Sequence, residues 1–293
     1  IIALLLALFF PSCQNQTGHP ASSAHSFTDD VGHSVSLRQS PRRIVSLAPS
    51  LTEIMFLIGA DSSLVGVTDY CDYPEAAKRK TKIGGMLNPN IERILALQPD
   101  LVLMSGSGNM KTDFEKLTAT GIPVFVSHPQ SIDGIFKSIL DIGDLTGRRR
   151  SADSVVVLLK FRRESLVRQA SAKPTETVLM ILSINPLIAI GPKTFLSELV
   201  TSANGQNIVR DSSTAYPVLS REEILRRQPH VIIATNDIVR SIDDILSPYP
   251  EWKSLTAIQT KRVAIVNASI VSRPGPRIID GLEAIVRAIH GDR

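Results

Sequence analysis

The segment Glu92-Arg-Ile-Leu-Ala-Leu-Gln-Pro-Asp-Leu-Val102 returns 130 residues later as Glu222-Glu-Ile-Leu-Arg-Arg-Gln-Pro-His-Val-Ile232, with five of eleven positions identical. Each copy reads as an amphipathic helical turn or two that ends before a proline and runs into a β-branched stretch. The residue before proline is driven out of the α region, and Val and Ile favour strand. A period this long with only two copies is not a solenoid, which needs at least about three stacked units. The repeat therefore implies two similar α/β lobes, and two lobes make a cleft.

A chain of 293 residues, 43% hydrophobic and 20% charged, has enough apolar material for two modest cores. Its net charge of +4 is spread along the chain, with one compact basic cluster at Arg148-Arg149-Arg150, so no nucleic-acid partner is indicated.

Ile1 to Phe10 is an unbroken apolar run, too short to span a bilayer but the right length for the core of a signal peptide. With no initiating Met and no basic n-region, the sequence is expected to be cut short at its front. The run meets Pro11-Ser12-Cys13, which resembles the lipobox of bacterial lipoproteins, in which the cysteine is lipidated and becomes the new N-terminus. The alternatives are an ordinary secretory signal cleaved nearby or the start of a buried helix. Gln14 to Ser26 is polar and of low complexity, as suits a flexible tether. If Cys13 carries lipid, Cys71 is a lone thiol and reads as a small buried residue.

From there the chain alternates. Phe27 to Leu37 reads as a hairpin turning at Gly32. Ile44 to Leu47 is a buried strand, and Ser50-Leu-Thr-Glu53 reads as a capping box opening a helix that stops at Gly59. Leu64 to Thr68, Leu101 to Met104 and Val124 to Val126 supply further strands, with helices near Asn90 to Leu97 and Lys111 to Thr120. Alternation of this kind implies a parallel sheet covered on both faces. Between Ile132 and about Ser171 no strand run appears, and apolar positions recur at helical spacing. That stretch reads as a long linking helix, its core from Ser151 to Ala170 about 30 Å long. The second lobe then offers strands Val178 to Leu182, Val231 to Ala234 and Val263 to Val266. Its helices are Thr194 to Ala203, Ser220 to Arg227 (with a capping box Ser220-Arg-Glu-Glu223) and Arg277 to Ile289. The expected division is 1–13 signal segment, 14–26 tether, 27–130 N-terminal lobe with its hairpin, 131–172 helical region and 173–293 C-terminal lobe.

No GxxxxGK[ST] or GxGxxG is present, and Gly106-Ser107-Gly108 lacks the context of a nucleophile elbow, so it reads as a polar loop after a strand. The histidines at 19, 25, 33, 128, 230 and 290 are scattered, without metal-ligand spacing. No assembled enzyme, cofactor or metal site is expected.

Several motifs together carry a family resemblance: Pro41-Arg-Arg-Ile-Val-Ser-Leu-Ala-Pro-Ser-Leu-Thr-Glu53, Val65-Gly-Val-Thr-Asp-Tyr-Cys-Asp-Tyr-Pro74, Glu92 to Val102 and Ser220-Arg-Glu222. From roughly Arg43 to Ile289 the chain resembles the periplasmic-binding proteins of the cobalamin and iron–siderophore class. The resemblance implies an α/β fold of two Rossmann-like lobes with mainly parallel sheets, bridged by a single long α-helix. It also implies a monomer that holds a small-molecule ligand between the lobes and delivers it to an ABC transporter permease dimer, with the lipid as its membrane anchor.

In that family one acidic residue per lobe docks onto permease arginines, and the matching positions are Glu92 and Glu222. Both would sit in a first helical turn, where a carboxylate is favoured whatever its function. The chain is most similar to the cobalamin-binding branch, through Asp69 to Pro74 and the Asn185-Pro186 turn. Tyr70 matches a tyrosine that packs on the corrin. Where that branch tends to place tryptophans, this sequence has Met86, Ser105, Tyr216 and Ile270, and its one tryptophan, Trp252, lies elsewhere. Asn267, Ser269, Ser272 and Arg273 match a loop bordering the ligand, while Arg277 reads as a fold or salt-bridge residue.

The rival ligands are a ferric siderophore, which cationic side chains such as Arg273 would meet, and haem, whose iron Tyr70, Met86 or Cys71 would bind. An enzyme or a structural lipoprotein on the same frame would show a convergent nucleophile–base pair or an exposed apolar patch.

Overall fold

The computed structural model describes residues 25–291. The signal segment, Cys13 and most of the expected tether lie outside them. The described chain opens with a hairpin, β1 (His25–Thr28) and β2 (Ser34–Leu37), turning through Gly32 at φ +87°. Its first strand starts at His25, so two residues assigned to the tether are paired backbone instead.

The N-terminal lobe follows as β3 (Ile44–Ser46), α1 (Pro49–Leu57), β4 (Leu64–Val67), α2 (Ile91–Ala96), β5 (Leu101–Ser105), α3 (Lys111–Ala119) and β6 (Val124–Ser127). The four β3–β6 strands form one parallel sheet in the order β4-β3-β5-β6. Side chains alternate across a strand, so each strand feeds two cores. Ile44, Leu101, Leu103 and Phe125 face α1, while Val45, Val102, Met104, Val124 and Val126 pack with Ile94 of α2 and Leu117 of α3. The end of α2 closes on the sheet where β4 carries Gly66: a Cβ there would lie 2.7 Å from Leu97 Cδ1 and 3.0 Å from Ile83 Cγ2.

Two helices then carry the chain across, α4 (Ile132–Leu145) and α5 (Arg149–Ser171). They approach closely because Gly143 faces Ala152, where a Cβ on the glycine would be 2.5 Å from the alanine's. At 1.5 Å per residue the 23 residues of α5 span about 35 Å. One continuous core runs from Ile44 and Phe125 through Ile139, Val156 and Leu159 to Met180, Ile233 and Leu282, so the lobes share an interior rather than merely touching.

The C-terminal lobe comprises β7 (Glu176–Ser183), β8 (Ile188–Ala189), α6 (Phe195–Ser202), β9 (Gly205–Asn207), α7 (Arg221–Arg227), β10 (Val231–Thr235), α8 (Asp243–Leu246), α9 (Thr256–Gln259), β11 (Val263–Val266), α10 (Ala268–Val271) and α11 (Ile278–His290). Its sheet runs β11-β10-β7-β8 with β9 beside the start of β7, and only β8 is antiparallel. The repeat is structural. Asn90 and Ser220 cap α2 and α7 by accepting the N–H of Arg93 and Glu223, at 2.8 and 3.1 Å. Gln98 and Gln228 then turn the chain at φ +44° and +45° before Pro99 and Pro229, and β5 and β10 follow. The pre-proline glutamine leaves the α region by the left-handed route rather than the extended one. Both sheets and all three cores close within the described residues.

Two expected caps differ. Ala48, not Ser50, is the N-cap of α1, and Pro49 occupies the first helical position, where its missing N–H costs nothing. Ser50 and Glu53 lie inside the buried helix. At α7 only half of the box forms, because the Glu223 carboxylate turns to Arg226 and Arg227 instead of back to the cap.

Candidate functional site: an inter-lobe cleft

The carboxyl ends of parallel strands, where open α/β sheets place ligands, converge here on a cavity of about 290 Å³ between the lobes. Pro49 and Ser50 follow β3, Tyr70 follows β4, Ser105 ends β5 and Ser107 and Gly108 follow it; Met86 reaches in from the loop before α2. Ser272, Arg273 and Pro274, after α10, supply the opposite wall. Of the expected cleft positions, Tyr70, Met86, Ser105, Ser272 and Arg273 thus meet. Tyr70 is 61% exposed, its ring free to receive a ligand.

Four others do not line this cavity. Asn267 caps α10 by accepting the Ser269 N–H at 2.8 Å, which also fixes Ser269 locally. Ile270 packs on the shared core. Tyr216, 47% exposed, sits on the loop whose carbonyls at Thr214 and Ala215 press against Gly191, and partial burial raises its phenol pKa. A second cavity, about 340 Å³, lies between the hairpin and α3, lined by Val31, His33, Met110 and Phe114 among others. It draws only on the N-terminal lobe.

The electrostatics of the cleft centre on Glu53, whose side chain is 2% exposed. Arg277 grips it with a two-pronged contact, Nε to Oε2 at 2.8 Å and Nη2 to Oε1 at 2.6 Å, and lies 4.1 Å over the Tyr73 ring. Arg273 Nη1 donates to Asp72 Oδ1 at 2.6 Å and approaches Glu53 Oε1 at 3.4 Å. The hydrogen bond from Arg273 lowers the Asp72 pKa, and Glu53 raises that of Arg277. Both arginines belong to the C-terminal lobe and both carboxylates to the N-terminal one, so these contacts clamp the cleft. Arg277 has the salt-bridge place expected of it. Arg273 borders the cavity with its guanidinium already engaged.

Sequence reasoning passed over the β5–α3 loop, although it forms one wall. Asn109 Nδ2 donates to the carbonyls of Leu47 and Met86 at 3.1 and 2.8 Å, tying three loops together. The glycines permit the approach: a Cβ at Gly106 would lie 2.6 Å from the His128 ring, and one at Gly108 2.3 Å from Met86 Cε. The available signal was the Gly-Ser-Gly spacing itself, read as mere loop. Ser107 Oγ lies 3.2 Å from His128 Nδ1, but the other ring nitrogen meets the Gln130 amide rather than a carboxylate, so no charged third member orients the pair. Cys71 is 1% exposed, with Thr52 and Thr68 hydroxyls 3.2 Å from its sulfur. That removes it from any set of metal-facing groups.

Glu92 and Glu222 sit at equivalent first-turn positions of α2 and α7, both exposed. Its own backbone N–H and the Ser220 hydroxyl lower the Glu222 pKa, so it is ionised at neutral pH.

Two α/β lobes on a single helical bridge, with a cleft at the strand ends, define a solute-binding architecture. The chain belongs to the periplasmic binding protein family, whose model matches residues 44–269. It is 30% identical over 307 residues to an uncharacterized ABC transporter substrate-binding lipoprotein, YvrC, of Bacillus subtilis, covering 99% of this chain and 95% of that one. A vitamin B12-binding protein of Yersinia pestis is 33% identical over 242 residues, 82% of this chain and 84% of that one. The crystal structure of a periplasmic vitamin B12 binding protein of Vibrio cholerae superposes with a TM-score of 0.74 at 28% identity, covering 85% of this chain and 96% of that one. This protein is accordingly an extracytoplasmic substrate-binding component of an ABC transporter. Among the described residues no helix is long and apolar enough to cross a membrane.

Proposed function

We propose that the protein captures cobalamin or a related corrinoid in the inter-lobe cleft and delivers it to a membrane permease, held at the membrane by lipid on Cys13. The observation that carries this reading is the placement of Tyr70 and Met86 on one wall of the cleft. A flat exposed ring and a polarizable thioether suit a large, mostly apolar macrocycle, and the phenol and the Ser107 hydroxyl suit its amide rim. The similarity to vitamin B12-binding proteins over four-fifths of the chain supports it. A cavity of about 290 Å³ is smaller than a corrin, so the Arg273–Asp72 contact opens as the ligand enters. The shared core and single bridge keep that opening small.

Glu92 and Glu222 present one exposed carboxylate per lobe, a pair suited to a permease of two symmetric halves. Native mass spectrometry of the protein incubated with equimolar cyanocobalamin, haem and a ferric hydroxamate tests the reading. A one-to-one corrinoid adduct supports it. An adduct with haem or the iron chelate instead would keep the transport role and discard the ligand.

A further inference from the structure

We propose that the outward face of the bridging helix α5 is a contact surface for an anionic lipid bilayer. The inference rests on the extracytoplasmic, membrane-side setting and not on the identity of the ligand. Three large apolar side chains on this helix have no cover: Val157 is 69%, Leu158 59% and Phe161 64% exposed, while Ala152, Val156, Leu159 and Ala170 supply the buried face. Arg150, Val157, Phe161 and Arg168 are spaced seven, four and seven residues apart, so at 3.6 residues per turn they share one stripe, on which Asp153 and Glu164 also lie, the first bound to Arg149 and the second 4.0 Å from Arg168.

The helix is net positive, with Arg149, Arg150, Lys160, Arg162, Arg163 and Arg168 against Asp153 and Glu164. Arg148, Arg150 and Lys160 are exposed and have no ion-pair partner among the described residues. Arg149 is neutralised by Asp144 and Asp153 at 2.7 and 2.9 Å, and Glu164 stands 4.0 Å from Arg168.

A second copy of the chain is a poor occupant. Three such side chains expose roughly 300 Å², and two copies together fall well short of the ~1,200 Å² of a stable interface. A two-fold antiparallel pairing that sets Val157 on Phe161 also sets Arg150 against Arg168 of the other copy, and like charges meet. A bilayer satisfies both features at once. The apolar triplet enters the boundary between headgroups and acyl chains, and the arginines at its ends reach anionic phosphates while their stems stay on apolar surface.

The test is co-sedimentation of the folded body, residues 25–293, with vesicles of phosphatidylcholine alone or with about 30% phosphatidylglycerol added. Binding is expected only to the anionic vesicles. It should weaken at least tenfold in Val157→Ser/Leu158→Ser/Phe161→Ser and in Arg150→Glu/Lys160→Glu, with melting temperature and ligand titration unchanged in both. A Phe161→Trp variant should be quenched by brominated anionic lipid. Absence of binding by the parent protein, equal binding by the triple-serine variant, or a dimer in ultracentrifugation that this variant disperses would each overturn the proposal, and none would touch the transport reading.

Discussion

Replacing Glu53 with Gln removes the carboxylate bound directly to Arg277 and leaves the guanidinium where it is. In the folded protein Glu53 is 2% exposed and Arg277 17%, and two charge-assisted hydrogen bonds of 2.8 and 2.6 Å join them. Removing one partner of a buried pair costs about 3–5 kcal/mol, because the survivor is stranded. The Tyr73 ring remains under Arg277 and retains about 0.5–1 kcal/mol of attraction, which places the expected loss near the lower end, about 3 kcal/mol. For a domain of this size each kcal/mol moves Tm by about 2–4 °C, so the midpoint should fall by roughly 6–12 °C in calorimetry. The double variant Glu53→Met/Arg277→Met should recover most of the loss, since two matched apolar side chains strand nothing. A Glu53→Gln shift below about 2 °C, or a double variant as unstable as the single one, would refute the view that the carboxylate is stabilising only because it is paired across the lobes.

Glu223 is held at a pKa of about 2, against an ordinary 4.5, by hydrogen bonds from Arg226 and Arg227. A depressed carboxylate pKa contributes stability above the unfolded value and loses it as pH falls through the folded one. Glu223→Gln should therefore flatten the decline of Tm between pH 4.5 and 2 without altering it at pH 7 relative to pH 5. Gly66→Ala should cost about 1–3 kcal/mol in urea titration, because the new methyl meets Leu97 and Ile83 at the end of α2, and a neutral result would show that this contact yields. Reversing both charges, Glu92→Lys/Glu222→Lys, should abolish uptake in a transport assay while the ligand affinity of the purified protein stays the same; lost affinity would move these residues into the binding site.

The lobes were legible because their strands are continuous apolar runs: every residue of β5 and of β10 is buried, so no alternation with polar residues blurs them. The bridge was legible as helix for the opposite reason, forty residues with helical spacing and no strand, but not as two helices: the left-handed turn at Gly147, φ +67°, ends α4 before α5 begins. β8 and β9 were not, since two or three residues show no period and owe their pairing to the long β7 beside them. The Ser50–Glu53 motif misled because its pattern also describes a buried helix whose glutamate is claimed from the other lobe by Arg277, a contact spanning 224 positions. In the cleft, Tyr70, Met86, Ser272 and Arg273 were found through the family pattern, whereas Ser107 and Gly108 were missed because small loop residues carry little signal of their own. Asn267 and Ile270 were drawn in by adjacency along the chain, while the turn of α10 directs one to a cap and the other to the core.

Isothermal titration of the protein with cyanocobalamin tests the central claim most directly. The account predicts one-to-one binding at submicromolar affinity, about −8 kcal/mol or better, weakened when Tyr70 is replaced by Ala. No heat with cobalamin, alongside saturable binding of haem or a ferric siderophore under the same conditions, would contradict it.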